Sequence, residues 1–245
     1  MSFRPFLLLQ LRPEDIAADD EYQAFLRSTG LDTEQLVRLR MDQGFPDINL
    51  DDYSGVIVGG GPSNVSSADD KKYDYQKMFE PKLKGLLQRI IDRDFPYFGE
   101  CYGLGILASV LGGHVGVEKY HEDVGAVTVR LSDEGEQDAL TNGLPDEFRA
   151  FAGHKEACQE VPPNAALLAS TDTCPVHMIR IGQNVYATQF HPELDSYGLE
   201  VRINVYRHAG YFPPEDADKL IAMGHKEIVT VPAEILRRFV ERYQR

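Results

Sequence analysis

The chain alternates short apolar runs with amphipathic stretches, and this alternation constrains the fold more than any other feature. In the first half, runs that are typical of buried strands lie at residues 6–11, 36–41, 54–58 and 95–98. Helical periodicity occupies residues 13–26, 73–91 and 104–111. Strands that are joined by helices pair in parallel, and the helices cover both faces of the sheet. The pattern therefore predicts an α/β three-layer sandwich with a mostly parallel, open sheet.

The second half is richer in strands, and helices return only after Pro192. Further strand candidates lie at residues 126–131, 148–151, 166–169, 177–181 and 185–190. Residues 182–184 (Gly-Gln-Asn) predict a hairpin turn between the last two strands, which makes this region antiparallel. No internal repeat or linker interrupts the 245 residues. We expect a single domain over 1–245, with its motifs in a core of about 50–200 and a C-terminal helical segment of about 200–245.

The charge balance limits the partners of the chain. The sequence has 25 basic and 39 acidic residues, for a net charge of −14, and no long basic run. Such a surface repels nucleic-acid backbones and anionic membranes. Three scattered cysteines form no disulfide framework, and the apolar run at residues 6–9 is too short to span a bilayer. We therefore expect a cytoplasmic protein that binds neither nucleic acid nor membrane.

One segment between a predicted strand and a predicted helix carries the clearest chemical signal. Residues 99–103 read Gly-Glu-Cys-Tyr-Gly, which is the nucleophile-elbow pattern with cysteine as the nucleophile. The glycines allow a sharp turn that exposes Cys101 at the N-terminus of a helix, where the helix dipole favours a thiolate. The backbone N–H of Tyr102 then points to the place where an oxyanion would form. The alternative for Cys101 is a buried structural cysteine beside a tight turn.

Two further elements complete the candidate site. His191 and Glu193 follow a predicted strand and lie two residues apart, so in an extended segment they face the same side. His191 would serve as the base for Cys101, and Glu193 would orient the imidazole. Residues 59–63 (Gly-Gly-Gly-Pro-Ser) also follow a strand, and they offer the N–H of Gly61 as a second oxyanion donor.

Together these motifs resemble those of the class I (triad-type) glutamine amidotransferases, and in particular the amidotransferase part of GMP synthases. The matching segments are residues 60–63 (Gly-Gly-Pro-Ser), 99–103 and 189–193 (Gln-Phe-His-Pro-Glu), in the order that the family has them. The resemblance covers about residues 50–200. It implies a flavodoxin-like α/β fold and hydrolysis of the glutamine side-chain amide to glutamate and ammonia. It also implies a thioester on Cys101, with His191 and Glu193 as the other members of the triad.

Several positions depart from the family pattern or match it weakly. Gly105 stands where the family has a glutamine that helps to hold the substrate, and Glu100 stands where an aliphatic residue is common. The charge of Glu100 would oppose a thiolate if the side chain points into the site, whereas a side chain that alternates away from Cys101 could bind substrate. Gly60 and the pair Gly153 and His154 match segments that line the substrate, so we include them as candidate substrate-binding residues.

The resemblance leaves the ammonia acceptor and the substrate open. No ATP-binding loop occurs in the sequence, and only about 50 residues follow Glu193, which is too few for a synthetase domain. The expected partners are therefore L-glutamine or a related γ-glutamyl compound and a synthetase on another chain. Two alternatives remain: a Cys-His-Glu hydrolase of γ-glutamyl conjugates or peptides, and a regulatory subunit with an idle triad.

Two cofactor hypotheses compete with this interpretation. Residues 103–108 (Gly-Leu-Gly-Ile-Leu-Ala) fit a dinucleotide-binding pattern, but they lie mid-chain and leave the candidate triad unexplained. Cys158, Cys174 and His177 are potential zinc ligands, but their spacing is loose and a structural zinc site has four ligands in compact pairs. We therefore expect neither a cofactor nor a metal.

Overall fold

Nine strands form one mixed sheet in the computed structural model, which describes residues 4–245. Its strand order is β2-β1-β3-β4-β11-β10-β9-β6-β7. The strands of the chain are β1 (Phe6–Gln10), β2 (Leu36–Arg40), β3 (Gly55–Val58), β4 (Tyr97–Glu100), β5 (Val115–Gly116), β6 (Glu122–Leu131), β7 (Glu147–His154), β8 (Ala157–Cys158), β9 (Ala165–Ser170), β10 (Met178–Ile181) and β11 (Val185–Thr188). The five strands from β2 to β11 pair in parallel, and the pairs from β11 to β7 are antiparallel.

Helices cover both faces of this sheet. They are α1 (Asp15–Thr29), α2 (Asp74–Arg93), α3 (Tyr102–Val110), α4 (Asp133–Gln137), α5 (Ser196–Val205), α6 (Ala217–Gly224) and α7 (Val231–Tyr243). Alternate side chains of β1 point to opposite faces, so Leu7 and Leu9 pack with α2 and α3, whereas Phe6 and Leu8 pack with α1 and α7. The predicted α/β three-layer architecture is confirmed, with the antiparallel strands in the second half of the chain.

The observed strand and helix boundaries differ from the prediction around β4. The sequence pattern places this strand at 95–98, but it runs from Tyr97 to Glu100. The reason is the end of α2, where Asp94 adopts a positive φ of 45° and the N–H of Phe95 still donates to the carbonyl of Ile90, at 2.9 Å. Phe95 therefore closes the helix before the strand begins. The short β5–β8 ladder and the five-residue helix α4 were also missed, because each is too short to show a period.

The hairpin turn at residues 182–184 is confirmed. Gly182 has a φ of 58°, and β10 and β11 pair in antiparallel register on either side of the turn. The carboxylate of Asp94 accepts the backbone N–H groups of Gln183 and Asn184, so the end of α2 also fixes this turn.

The C-terminal helix begins one residue before Pro232, within the predicted C-terminal helical segment. Its apolar face is buried against the sheet through Ile235, Leu236, Phe239 and Val240. Within residues 4–245 no helix combines the length and the apolar character that a bilayer crossing requires.

The parallel strands β3, β4 and β11 are neighbours, and this arrangement gathers the predicted motifs. Each of the three strands runs directly into one motif: residues 59–63, Cys101 and residues 189–193. The carboxyl ends of parallel strands lie at the same edge of a sheet, which is where open α/β folds bind ligands. The fold therefore places three segments that are distant in sequence at one sheet edge.

Candidate active site

Cys101 occupies a strained turn between β4 and α3. Its φ is 49° and its ψ is −98°, a conformation that costs an L-residue on the order of 1–3 kcal/mol. The N–H of Cys101 donates to the carbonyl of Thr188 at 2.7 Å, and its own carbonyl accepts the N–H groups of Leu104 and Gly105. Neighbouring backbone thus fixes the elbow on both sides, as the sequence pattern predicts.

Close packing explains the two glycines of the elbow. A Cβ on Gly99 would lie 2.3 Å from the hydroxyl of Tyr97, and a Cβ on Gly103 would lie 3.0 Å from the carbonyl oxygen of Val58. The Tyr97 hydroxyl also donates to the carbonyl of Gly103, at 3.0 Å. The glycine at position 103 is therefore explained by the close packing of α3 on β3. The alternative, a dinucleotide-binding loop at residues 103–108, is not needed to explain it.

His191 lies buried beside Cys101. Its backbone N–H donates to the carbonyl of Phe151 at 3.0 Å, which anchors the residue to β7. Burial alone would lower the pKa of the imidazole, but the Glu193 carboxylate and a hydrogen bond with Cys101 outweigh it and raise the pKa above its usual value. The imidazole and the Cys101 side chain line one cleft.

Two carboxyl groups lie at the Nδ1 atom of His191. Glu193 Oε1 is 3.6 Å away, and Glu100 Oε1 is closer, at 3.2 Å. Glu100 points into the site, and its Oε1 also accepts the N–H of Gly60 at 3.0 Å. The sequence left the direction of Glu100 open, and the structure shows it behind the imidazole rather than in the substrate cleft.

Glu100 and Glu193 form a coupled carboxyl pair. Burial raises the pKa of Glu100 well above its usual range, and the neighbouring Glu193 carboxylate raises it further. Burial acts in the same direction on Glu193, but the guanidinium of Arg202 and a hydrogen bond with Glu100 hold the pKa of Glu193 well below its usual range. Glu100 is therefore the protonated member of the pair, and it donates to Glu193.

Residues from two helices surround this pair, and no local sequence signal pointed to them. Arg202 on α5 pairs with Glu193 Oε1, and its Nη1 lies 3.1 Å from His191 Nδ1. Glu21 on α1 accepts a hydrogen bond from Arg12 Nε at 2.7 Å. All of these side chains are buried. With Glu100 neutral, two guanidinium groups balance two carboxylates around the imidazole.

The predicted oxyanion donors belong to residues next to Cys101, since Tyr102 follows it in the chain and Gly61 lines the same clefts. The N–H of Tyr102 belongs to the first turn of α3 and has no acceptor within the helix. Gly61 lines the two clefts that adjoin the sulfur, and a Cβ on Gly61 would lie 2.6 Å from Leu11 Cγ. Their role as oxyanion donors stays a prediction.

Two clefts meet at Cys101, Gly61, Gly153 and Tyr211. The polar cleft has about 340 Å³ of empty space, including its mouth, and its polar lining side chains are Ser63, Asn64, His154, Lys155, Glu156 and Gln189. The apolar cleft has about 520 Å³, also with its mouth, and its apolar lining side chains are Val124, Leu194, Leu199, Ile203 and Phe212. His191 lines the apolar cleft.

Of the four candidate substrate-binding residues, three line the polar cleft and one packs against His191. Gly105, Gly153 and His154 line the polar cleft. Gly60 instead packs against the imidazole, since a Cβ there would lie 2.4 Å from His191 Cε1. The structure therefore gives Gly60 a contact with His191 and Glu100, and its predicted contact with substrate remains untested.

His154 is held by a buried network that reaches behind the polar cleft. The Nε2 atom of His154 lies 3.0 Å from Oε2 of Glu122, and the Nε2 atom of His177 lies 2.7 Å from the same oxygen. The Nδ1 atom of His154 lies 3.0 Å from the carbonyl oxygen of Glu156. Burial would raise the pKa of Glu122, but the histidines and Thr171 hold it far below its usual range. His154, the last residue of β7, thus has a partner at each ring nitrogen and also lines the polar cleft.

Two clusters bring metal-binding atom types within 4.8 Å of one another, namely His154 with Cys174 and His177, and Glu100 with His191 and Glu193. In the first cluster, Glu122 already engages both histidines, and burial raises the pKa of the Cys174 thiol to about 12. In the second, the cation of Arg202 already pairs with Glu193. We assign neither cluster to a metal.

The fold and this site define an α/β protein with a cysteine, a histidine and two glutamates at the carboxyl edge of its sheet. Residues 22–201 match the family model of the class I glutamine amidotransferases (Glutamine amidotransferase class-I). The chain belongs to this family, and the resemblance noted in the sequence is confirmed.

Relatives and solved structures agree with this assignment. The chain is 30% identical to one of the subunits of the glutamine-hydrolysing GMP synthase of Pyrococcus abyssi over 149 residues, which are 60% of this chain and 70% of that protein. It is 30% identical to the glutamine-hydrolysing GMP synthase of Streptomyces avermitilis over 167 residues, which are 65% of this chain but only 28% of that longer protein.

Among solved structures, a glutamine amidotransferase from Thermotoga maritima shares the fold with a TM-score of 0.77 at 21% identity, over 98% of each chain. A glutamine amidotransferase from Methylobacillus flagellatus has a TM-score of 0.74 at 21% identity, over 100% of this chain and 97% of that one. These similarities extend over the C-terminal helices as well as the motif-bearing region.

Proposed function

We propose that the chain hydrolyses the side-chain amide of glutamine and delivers ammonia to an acceptor on another polypeptide, as the amidotransferase part of a GMP synthase would. The observation that carries the proposal is that Cys101, on its strained elbow, and the buried imidazole of His191 line the same cleft, with the Glu193 carboxylate at Nδ1 of that imidazole. A nucleophile, its base and the partners of that base are thus assembled at one sheet edge.

Each residue takes a defined role in this mechanism. Cys101 Sγ attacks the amide carbon, and the N–H groups of Tyr102 and Gly61 stabilise the oxyanion. His191 takes the thiol proton and delivers it to the departing nitrogen, and water then cleaves the glutamyl thioester. Glu193 acts on His191 together with Glu100, which is the carboxyl group closer to Nδ1.

The polar cleft supports an amino acid as the substrate. Its lining includes the ammonium group of Lys155 and the carboxylate of Glu156. Glu156 is held in place by the N–H groups of Val65 and Ser66, at 2.6 and 2.9 Å. Burial raises the pKa of Glu156, so the cleft holds an amino group and a carboxyl group at fixed positions, and such a pair suits the α-carboxylate and α-ammonium groups of a free amino acid.

The relatives support a partner chain. The Pyrococcus abyssi protein is named as one of the subunits of a glutamine-hydrolysing GMP synthase, and the match covers 70% of it. We propose that a synthetase chain binds this protein as well and consumes the ammonia that it releases.

The experiment measures glutamate release from L-glutamine together with covalent labelling by the electrophilic analogue 6-diazo-5-oxo-L-norleucine. We expect Cys101→Ala to lose both, because the sulfur is the nucleophile. Cys158→Ala is the matched control, since Cys158 is buried in β8 and burial raises the pKa of its thiol to about 12. Turnover that survives in Cys101→Ala would refute the proposal, and labelling without turnover in the wild type would indicate that the partner chain is required.

A further inference from the structure

The two clefts at Cys101 differ in chemistry, and this difference indicates which part of a substrate each one receives. In the proposed mechanism, Cys101 attacks an amide carbon that carries an acyl portion on one side and a leaving nitrogen on the other. His191 must protonate that nitrogen. Because His191 lines the apolar cleft and not the polar cleft, the leaving nitrogen faces the apolar cleft.

The apolar cleft is larger than a leaving ammonia molecule requires. About 60 Å³ of the cleft is open to the centre of a water-sized molecule, whereas one molecule of that size needs only about 10–15 Å³ by the same measure. Its walls come from α5, through Leu199 and Ile203, and from the segment after α5, through Phe212. Such a surface stabilises a bound hydrocarbon group, whereas it offers no favourable interaction to ammonia.

The charged groups of this cleft are already paired. Arg12 is engaged by Glu21, and Arg202 by Glu193. The aromatic side of the cleft is also fixed, since Lys155 Nζ lies 4.2 Å from the centroid of the Tyr211 ring and donates to the carbonyl of Ala209 at 3.0 Å. The cleft therefore presents a preformed apolar wall with no free charge for a ligand.

We propose that the apolar cleft binds the amine portion of N-substituted γ-glutamyl amides, so that the chain hydrolyses γ-glutamyl conjugates of apolar amines. The inference rests on the proposed function, because it uses the same nucleophile and the same acid. The Sγ–C bond forms, the C–N bond breaks, and the amine leaves with the proton from His191. Water then hydrolyses the thioester, which releases glutamate and restores the thiol.

The test compares γ-L-glutamyl-n-butylamide, γ-L-glutamylethylamide and L-glutamine as substrates. Ethylamine and butylamine are similar in basicity, so the ratio of kcat/KM between the two amides measures binding of two additional methylene groups. Each buried methylene contributes about fourfold, and we expect the butylamide to exceed the ethylamide about fifteenfold. Phe212→Ala should reduce this ratio to about threefold or less. Tyr197→Ala, which removes an aromatic ring that is 62% exposed on α5, is the control and should keep the wild-type ratio.

The outcomes separate this inference from the proposed function. Hydrolysis of glutamine with an amide ratio near one would overturn the inference and leave the proposed function standing. No glutamate from any compound, with Cys101 unlabelled by 6-diazo-5-oxo-L-norleucine, would overturn both. If Cys101 is labelled but the protein hydrolyses none of the compounds, the measurement becomes the concentration of each amide that protects Cys101 against labelling. Protection by the butylamide at about fifteenfold lower concentration than the ethylamide supports the inference, and equal protection overturns it.

Discussion

Replacing Glu100 with glutamine should change how the stability of the protein depends on pH. Burial and the Glu193 carboxylate raise the pKa of Glu100 above the ordinary carboxyl value of 4.5, so the folded protein keeps a proton that the unfolded chain releases. As the pH rises above 4.5, the contribution of Glu100 to the free energy of unfolding of the wild type therefore falls. It falls by about 1.4 kcal/mol per pH unit until the pH reaches the pKa of Glu100 in the folded protein. Glu100→Gln carries no such proton and avoids this loss.

We therefore expect the free energy of unfolding of Glu100→Gln, relative to wild type, to increase by up to about 3 kcal/mol between pH 5 and pH 7. Urea denaturation at each pH measures it. The charged groups around Glu100, namely Glu21, His191, Glu193 and Arg202, are present in both proteins, and Glu160→Gln on the exposed surface controls for the loss of a carboxyl group. A difference that stays constant from pH 5 to pH 7 would show that Glu100 ionises normally and would refute the assignment of the proton.

Two other substitutions test neighbouring parts of the site. Arg202→Met removes the cation that pairs with the buried Glu193 carboxylate, and it should cost about 3–5 kcal/mol of unfolding free energy in urea denaturation; a loss below about 1 kcal/mol would contradict this pairing. Gly105→Gln restores the side chain that the family has at this position, and a Cβ there meets Val65 Cγ2 at 3.4 Å and Glu156 Oε1 at 3.6 Å, which are ordinary contacts. It should lower KM for glutamine, and an unchanged KM would show that the missing side chain does not limit recognition.

The parts of the fold that were predictable from sequence carry local signals. The apolar strands and the glycines of the elbow follow from contacts within a short stretch of sheet, and Gly99 and Gly103 pack against Tyr97 and Val58 for that reason. The ends of the elements were less predictable. The boundary of β4 depends on how α2 closes at Asp94, and β5 and β8 pair although they are far apart in the chain.

The surroundings of His191 depended on tertiary structure. Arg202 and Glu21 lie on α5 and α1, which the fold brings together behind the imidazole. The orientation of Glu100 follows from strand alternation only once the faces of β4 are known. Phe98 packs on the side of α1 and α7, and Glu100, two residues on, reaches toward the same side. Motif spacing places Cys101 and His191 at one edge, but it does not show what lies behind them.

The charge balance behind His191 explains how a glutamate fits a position where the family commonly has an aliphatic residue. An ionised Glu100 would place three buried carboxylates beside two guanidinium groups and leave an excess negative charge next to the imidazole. A protonated Glu100 adds no charge, as an aliphatic side chain would add none. It also accepts the N–H of Gly60 at 3.0 Å, which fixes the glycine loop against the imidazole. The charge of the imidazole is then free to change during the proposed turnover, while the groups behind it stay neutral in sum.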